Sequence, residues 1–489
     1  MIRRILTPSL LDIFFAALLL TAFAHQEGLR SLLADGDTGW HIRTGELVLA
    51  TGHAPVADPF SFSRPQEPWF AWEWLADVVF AFTWRWRGLA GVAALAGSVL
   101  ALAATMLLAN MLHRGCGLWL GVAATMAAVS ASSVHYLARP HVFSILFYTT
   151  GLWTLEEDRT RRGWRLWLLI PMTALWANLH GGFTAWLATL GLLVALCAAE
   201  RDRQRARRYG CLAALCGLAS LANPYGWQLH AHIVRYLNSS WIVDHVQEFQ
   251  SPRIRSEGML VFAVLLLAAV AMASRADRFS ALLVLVWGFM ALRSARHVPF
   301  LAIVAAPVVA SGIARYWARA AACANWHSPI RIFWATAQEF GRGARISLWL
   351  PVGAAAVVMA APAVGFPDSI FPVAAVDRNL GQLAPRAAMP RVLTSDQWAD
   401  YLIFRLYPDQ RVFFDGRSDF YGAALGADYR KLLAGEKPWR ELLDRYQFDL
   451  ALLPHDWALS TSLEREPGWH RVYEDAVAVL YAHESGGTP

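Results

Sequence analysis

The sequence predicts a polytopic α-helical membrane protein of about eleven transmembrane helices, with a small α/β domain outside the membrane at its C-terminus. Apolar residues make up 56% of the 489 positions and charged residues only 16%, against roughly 45–50% and about 25% in soluble domains. The apolar residues gather into uncharged runs of roughly 14–25 residues, near what a bilayer core requires. Arginines sit in the short connections between runs, where the positive-inside rule places them. The net charge of +6 and the pI near 9.2 therefore report topology, not nucleic-acid binding. Cys116, Cys197, Cys211, Cys216 and Cys323 lie in or beside apolar runs without a CxxC pair, which argues against a disulfide framework or structural zinc.

The first run, about Leu10 to Ala24 and broken only by Asp12, follows Met-Ile-Arg-Arg and reads as a signal anchor with a cytoplasmic N-terminus. Ten further spans are expected at Leu89–Leu112, Leu118–Val134, Val142–Leu155, Leu166–Leu179, Phe183–Ala199, Tyr209–Ala222, Met259–Ala273, Phe279–Leu292, Val298–Ile313 and Ile346–Val364. The stretch Trp69–Trp86 is nearly long enough to cross but holds Glu73, Asp77, Arg85 and five tryptophans. If it lies flat at the headgroup level, the arginine-bearing loops Arg159–Arg165, Arg201–Arg208 and Arg275–Arg278 all face the cytoplasm. That choice gives eleven spans and an extracytoplasmic C-terminus. The domain reading is a membrane domain over 1–364, with an outer first loop at about 25–88 and an interfacial helix at about 69–86. A soluble domain follows over 365–489, where runs such as Arg411–Phe414 and Phe448–Leu453 read as strands. Arg315–Arg345 reads as an inner-surface loop or interfacial helix.

The first outer loop contains Asp35-Gly36-Asp37-Thr38-Gly39-Trp40-His41-Ile42-Arg43, then Asp58-Pro59-Phe60-Ser61 and Trp72-Glu73-Trp74-Leu75. Two carboxylates beside a membrane are costly unless solvated or used, although Asp residues here could equally cap a helix beginning near Thr38. The Asp35–Arg43 string resembles the first-loop signature of oligosaccharyltransferase catalytic subunits, members of the GT-C superfamily of polyprenyl-linked glycosyltransferases. The layout of one span, a long outer loop ending in a flat helix, about ten more spans and an outer C-terminal domain is similar to that superfamily. The whole pattern looks most like bacterial GT-C-like membrane proteins close to the 4-amino-arabinose and mannosyl transferases. The resemblance implies that Asp37 is catalytic and metal-contacting, with Asp35 assisting and a divalent cation (Mg or Mn) as candidate cofactor.

Two departures from the family pattern bear on the metal and on the acceptor. The loop Ser133–His141 carries no carboxylate where many family members have a second acidic residue, leaving His141 as a candidate ligand or hydrogen-bonding substitute. The stretch Ser395-Asp396-Gln397-Trp398-Ala399-Asp400-Tyr401 has a Trp, an Asp and a Tyr, but not the Trp-Trp-Asp-Tyr-Gly motif that reads a peptide sequon.

Arg293, Arg296 and His297 cluster before the tenth span, and Arg offers a fork of donors matched to phosphate oxygens. Snorkelling to headgroups is the competing account of these arginines. His41, Arg43, His141 and His180 complete the candidate substrate- and phosphate-binding set, with His180 also suited to packing a helix hairpin. Asp415-Gly416-Arg417 reads as a turn after a strand. The functional expectation is an inverting glycosyltransferase of the bacterial cytoplasmic membrane. Its partners would be a polyprenyl-phosphate sugar, membrane lipid and an extracytoplasmic acceptor (glycan, lipid or protein), with no nucleic acid. The alternative is a non-catalytic, transport or assembly component of lipid-linked glycan or exopolysaccharide export.

Overall fold

The computed structural model describes residues 7–23, 26–379, 383 and 389–484; the Met1–Arg4 start lies outside them. The chain divides into two units. The first comprises Met1–Gly28, Ala94–Ile233 and Val243–Ala361; the second comprises Leu29–Ala93, Val234–Ile242 and Pro362–Pro489.

The first unit is helical. Val298–Cys323 is its central helix, packed by Leu118–Ser132, Glu257–Ala273 and Arg278–Arg293. Leu10–Phe23 packs on Trp349–Ala360 through Phe15, Leu19 and Leu350. Asp12, the polar break in the first run, is buried: its carboxylate accepts the Ser9 N–H at 2.5 Å and the Ser347 hydroxyl at 2.8 Å. The arginine-bearing loops are joined by ion pairs. Arg208 grips Asp158 with two donors (2.9 and 2.5 Å), Arg159 meets Asp277 at 2.7 Å, and Arg278 meets Glu200 at 3.0 Å. These pairs gather the three loops at one end of the unit.

The expected count of eleven spans is not confirmed. Among the described residues, three helices are long and apolar enough to cross a bilayer: Trp74–His113, Leu118–His135 and Ala295–Cys323. Leu10–Phe23, Phe183–Ala199, Gly258–Ala273 and Trp349–Ala360 are apolar but shorter, below the roughly 20 residues that an untilted helix needs. An apolar run in a sequence includes its flanking turns, so run length overstates helix length.

Trp74–His113 bends at Gly88, whose φ of 63° and ψ of −161° lie outside the helical region and suit only glycine. The tryptophan-rich segment before the bend is thus a helix distinct from the apolar one after it.

The second unit holds a four-stranded sheet in the order β1-β2-β4-β3, with β1 Val392–Leu393, β2 Leu450–Pro454, β3 Trp469–Glu474 and β4 Ala478–His483. β1 and β2 are parallel, and β4 is antiparallel to both β2 and β3. Three strands therefore end at the same edge of the sheet. A core of Phe413, Phe414, Tyr421, Leu432, Leu453 and Val479 lies against it. First-loop residues join this unit directly: Val412 donates its N–H to Phe60 O and accepts from the Phe62 N–H, both at 3.0 Å.

Candidate functional site

In the second unit, helix Asp37–Thr51 begins inside the Asp35–Arg43 motif. Asp35 Oδ1 accepts the Asp37 N–H at 2.9 Å, which fixes the turn that starts the helix. Helix Asp396–Leu406 packs against it, capped by the Ser395 hydroxyl accepting from the Trp398 N–H at 3.2 Å. The Gly36 N–H donates to Gln397 Oε1 at 2.8 Å. At Gly39 the helices approach so closely that a Cβ would sit 2.6 Å from the Asp400 carbonyl oxygen.

This packing brings the Asp37 carboxylate to that of Asp400, with a side-chain hydrogen bond between them. Both are buried, at 6% and 0% exposure. Burial, then the negative charges of Asp37 and Asp415, push the Asp400 carboxyl well above its ordinary range. Two buried carboxyls this close do not both ionise, so the pair titrates as a unit that shares a proton. The Gly416 N–H supports Asp400 Oδ1 at 3.1 Å. A Cβ at Gly416 would lie 2.7 Å from Asp400 Oδ2 and closer still to Asp37 Oδ1, so only glycine leaves room for the pair.

The turn at Asp415-Gly416-Arg417 is held by a buried ion triad. Arg417, 3% exposed, meets Asp415 at 2.6 Å and Asp58 at 2.8 Å, while the Tyr421 hydroxyl donates to Asp415 at 2.7 Å. Trp69 and Phe60 cover its guanidinium at 4.6 and 5.0 Å. Asp58 also accepts the Ser61 N–H and hydroxyl, so two motifs far apart in sequence lock together.

His41 and Arg43 are engaged within the second unit. His41, 1% exposed, bonds Asp77 at 2.6 Å and lies 3.7 Å from Glu73. Arg43 donates through Nε to the Phe404 carbonyl at 2.9 Å and through Nη1 to Glu46 at 2.5 Å. It thus caps a late carbonyl of helix Asp396–Leu406.

His141, His180, Arg296 and His297 belong to the first unit, where the structure links them with residues missing from the expected set. Arg139 meets Glu248 at 2.6 Å. Against burial, which raises it, Arg139, His135 and Arg296 hold the Glu248 carboxyl well below its ordinary range. His135 donates to Ala295 O at 2.9 Å, and Ser294 Oγ donates to Glu248 O at the same distance. His141 donates to the His135 carbonyl, with the ring centroids of His135 and His180 at 5.9 and 6.4 Å from its own. His180 Nδ1 accepts the Gly182 N–H at 2.9 Å, placing the ring proton on Nε2. The Arg296 guanidinium stacks over Phe249 at 4.4 Å, and His297 immediately follows it. Arg293 is exposed at the end of helix Arg278–Arg293, outside this hydrogen-bonded group among the described residues. The cluster therefore sets two arginines and four histidines around a single Glu.

Sequence reasoning missed Asp400, Gly416 and Arg139. Asp396-Gln397-Trp398-Ala399-Asp400 does carry an i, i+4 acidic spacing that would put both carboxylates on one helix face. Nothing comparable marked Arg139. Among the described residues, no group of three or more His, Cys, Asp or Glu side chains is arranged to hold a metal ion.

No protein-family model and no curated protein matches the chain. Among solved structures, it is similar to the archaeal oligosaccharyltransferase AglB from Archaeoglobus fulgidus in complex with an inhibitory peptide and a dolichol-phosphate. The likeness covers 98% of this chain and 74% of that one, with a TM-score of 0.57 and 12% identity. At that identity the shared property is the fold: the chain has the fold of that oligosaccharyltransferase structure.

Proposed function

We propose that this protein is a membrane glycosyltransferase of the GT-C type, moving a sugar with inversion from a polyprenyl phosphate to an extracytoplasmic acceptor. The observation that carries the reading is the Asp37–Asp400 carboxyl pair in a chain of this fold. The acceptor hydroxyl oxygen attacks the anomeric carbon and its proton passes to the Asp37 carboxylate. The carbon–oxygen bond to phosphate breaks, and its electrons leave with the polyprenyl phosphate. Asp400 is a positioning residue: the proton that the pair shares orients Asp37. Within the first unit, Arg139 and Arg296 with His135, His141, His180 and His297 are the residue types suited to a lipid phosphate.

Two carboxylates side by side cannot both ionise without a proton or cation between them. Were a divalent cation, Mg or Mn, to replace the proton of the pair, Asp37 and Asp400 are the residues that would hold it. Such a cation would supply positive charge beside the reacting groups.

The burial of both carboxylates favours a second reading, a non-catalytic component of lipid-linked glycan transport or assembly. One assay separates the two: donor consumption in proteoliposomes by wild type and Asp37→Asn. Turnover by wild type alone supports the transferase. Donor binding without turnover in either supports the alternative.

A further inference from the structure

The second unit contains an open cavity of about 370 Å³, lined among others by Ser369, Asp396, Gln397, Trp398, Asp456 and Trp457. Its volume falls within the roughly 300–1,000 Å³ of small-molecule sites. The lining comes from Ser369 and Ile370 ahead of β1, from the segments that follow β1 and β2, and from the β3–β4 turn. This is the edge where three strands end, the usual binding crevice of sheets with helical crossovers.

The chemistry of the lining is selective. Trp457 packs against the domain core, remains only partly buried, and lines the cavity. The side chains of Ser369 and Asp456 make no hydrogen bond within the described residues, leaving a hydroxyl and a carboxylate to whatever enters. None of the described lining residues carries a positive charge, and two carry carboxylates, which disfavours phosphates and other anions. A peptide that adds a strand needs an open strand edge, whereas this cavity is bounded by strand ends. An aromatic side chain with carboxylate, amide and hydroxyl groups around it matches a pyranose, whose C–H face stacks and whose vicinal hydroxyls donate.

The cavity is also tied to the Asp37 turn. Gln397 lines it and accepts the Gly36 N–H, while Asp396 lies one helical turn, about 6 Å of rise, before Asp400.

We propose that this cavity binds a neutral glycan and is the acceptor subsite of the transferase. The proposal rests on the function assigned above, and its test separates the two. The full-length protein in nanodiscs is titrated with neutral oligosaccharides of glucose, galactose, mannose and N-acetylglucosamine, followed by tryptophan fluorescence and saturation-transfer NMR. At least one should bind saturably, and Trp457→Ala should weaken it by about tenfold, the loss of one stacking contact. Asp456→Asn, at an exposed position that does not threaten folding, should weaken it several-fold. No binding by any member, binding unaffected by both variants, or displacement by uncharged tetrapeptides overturns the proposal. Glycan binding in a protein that never consumes polyprenyl-phosphate sugars keeps the subsite and removes the transferase. Transfer with an unchanged acceptor KM in both variants does the reverse.

Discussion

Gly416→Ala is the sharpest perturbation of the carboxyl pair, because it adds one methyl group at the point where both oxygens converge. Ordinary contact of a Cβ begins near 3.4 Å, and the new atom would stand 2.7 Å from Asp400 Oδ2 and nearer to Asp37 Oδ1. Asp400 must retreat by roughly 0.7 Å in a close-packed interior without slack, and Asp37 by more. Overpacking of this kind costs about 1–3 kcal/mol. For a domain of 150–250 residues that is roughly 2–12 °C of melting temperature. Misplacing a base by about 1 Å can cost on the order of a hundredfold in rate. The assay is thermal melting followed by tryptophan fluorescence, together with transfer from a polyprenyl-phosphate sugar. Gly365→Ala is the control, since a Cβ there meets nothing within 4 Å. If Gly416→Ala melts and turns over like Gly365→Ala, the convergence of Asp37 and Asp400 has no consequence and the site assignment is wrong.

Asp400→Asn should change how stability depends on pH. The folded-state carboxyl of Asp400 is raised, so its favourable contribution is complete below the ordinary carboxylate range and is lost as pH rises towards neutrality. The melting temperature of wild type relative to Asp400→Asn should therefore fall as pH rises above the ordinary carboxylate range; a constant difference would contradict the raised carboxyl. Arg417→Met leaves Asp58 and Asp415 buried without a counter-charge, and should cost about 3–5 kcal/mol by thermal melting. Arg417→Lys should restore little, because a point charge cannot span both carboxylates as the fork does. In the first unit, Arg139→Ala should weaken donor binding about tenfold or more. Glu248→Gln should strengthen it by releasing Arg139, as read by titration with a polyprenyl phosphate.

The sequence made Asp37 visible because two carboxylates beside an apolar run are expensive, and the motif then drew attention to the turn that starts helix Asp37–Thr51. Asp400 was harder to see. Its stretch differs from a sequon-reading motif, and only the packing of two helices more than three hundred positions apart gives it a partner. Asp415-Gly416-Arg417 does form the turn that composition suggests. Its reason is steric and ionic, since Gly416 makes room for carboxyl oxygens and Arg417 finds Asp58 in the first loop. His41 and Arg43 show the reverse: residue types suited to phosphate are taken up by Asp77, Glu46 and a backbone carbonyl. The loop arginines were legible as a group through their charge, and the carboxylates that join them supply the pairing that charge counting leaves out. Helix lengths were the weakest part, because apolar turns extend a run without extending the helix.

The central claim is that Asp37, paired with Asp400, is the base of a glycosyl transfer from a lipid-linked donor. The most direct measurement follows loss of sugar from a panel of polyprenyl-phosphate sugars in proteoliposomes, with wild type and folded Asp37→Asn compared with and without divalent cation. The account predicts turnover of at least one donor by wild type and none by Asp37→Asn. Equal turnover by the two proteins would contradict it.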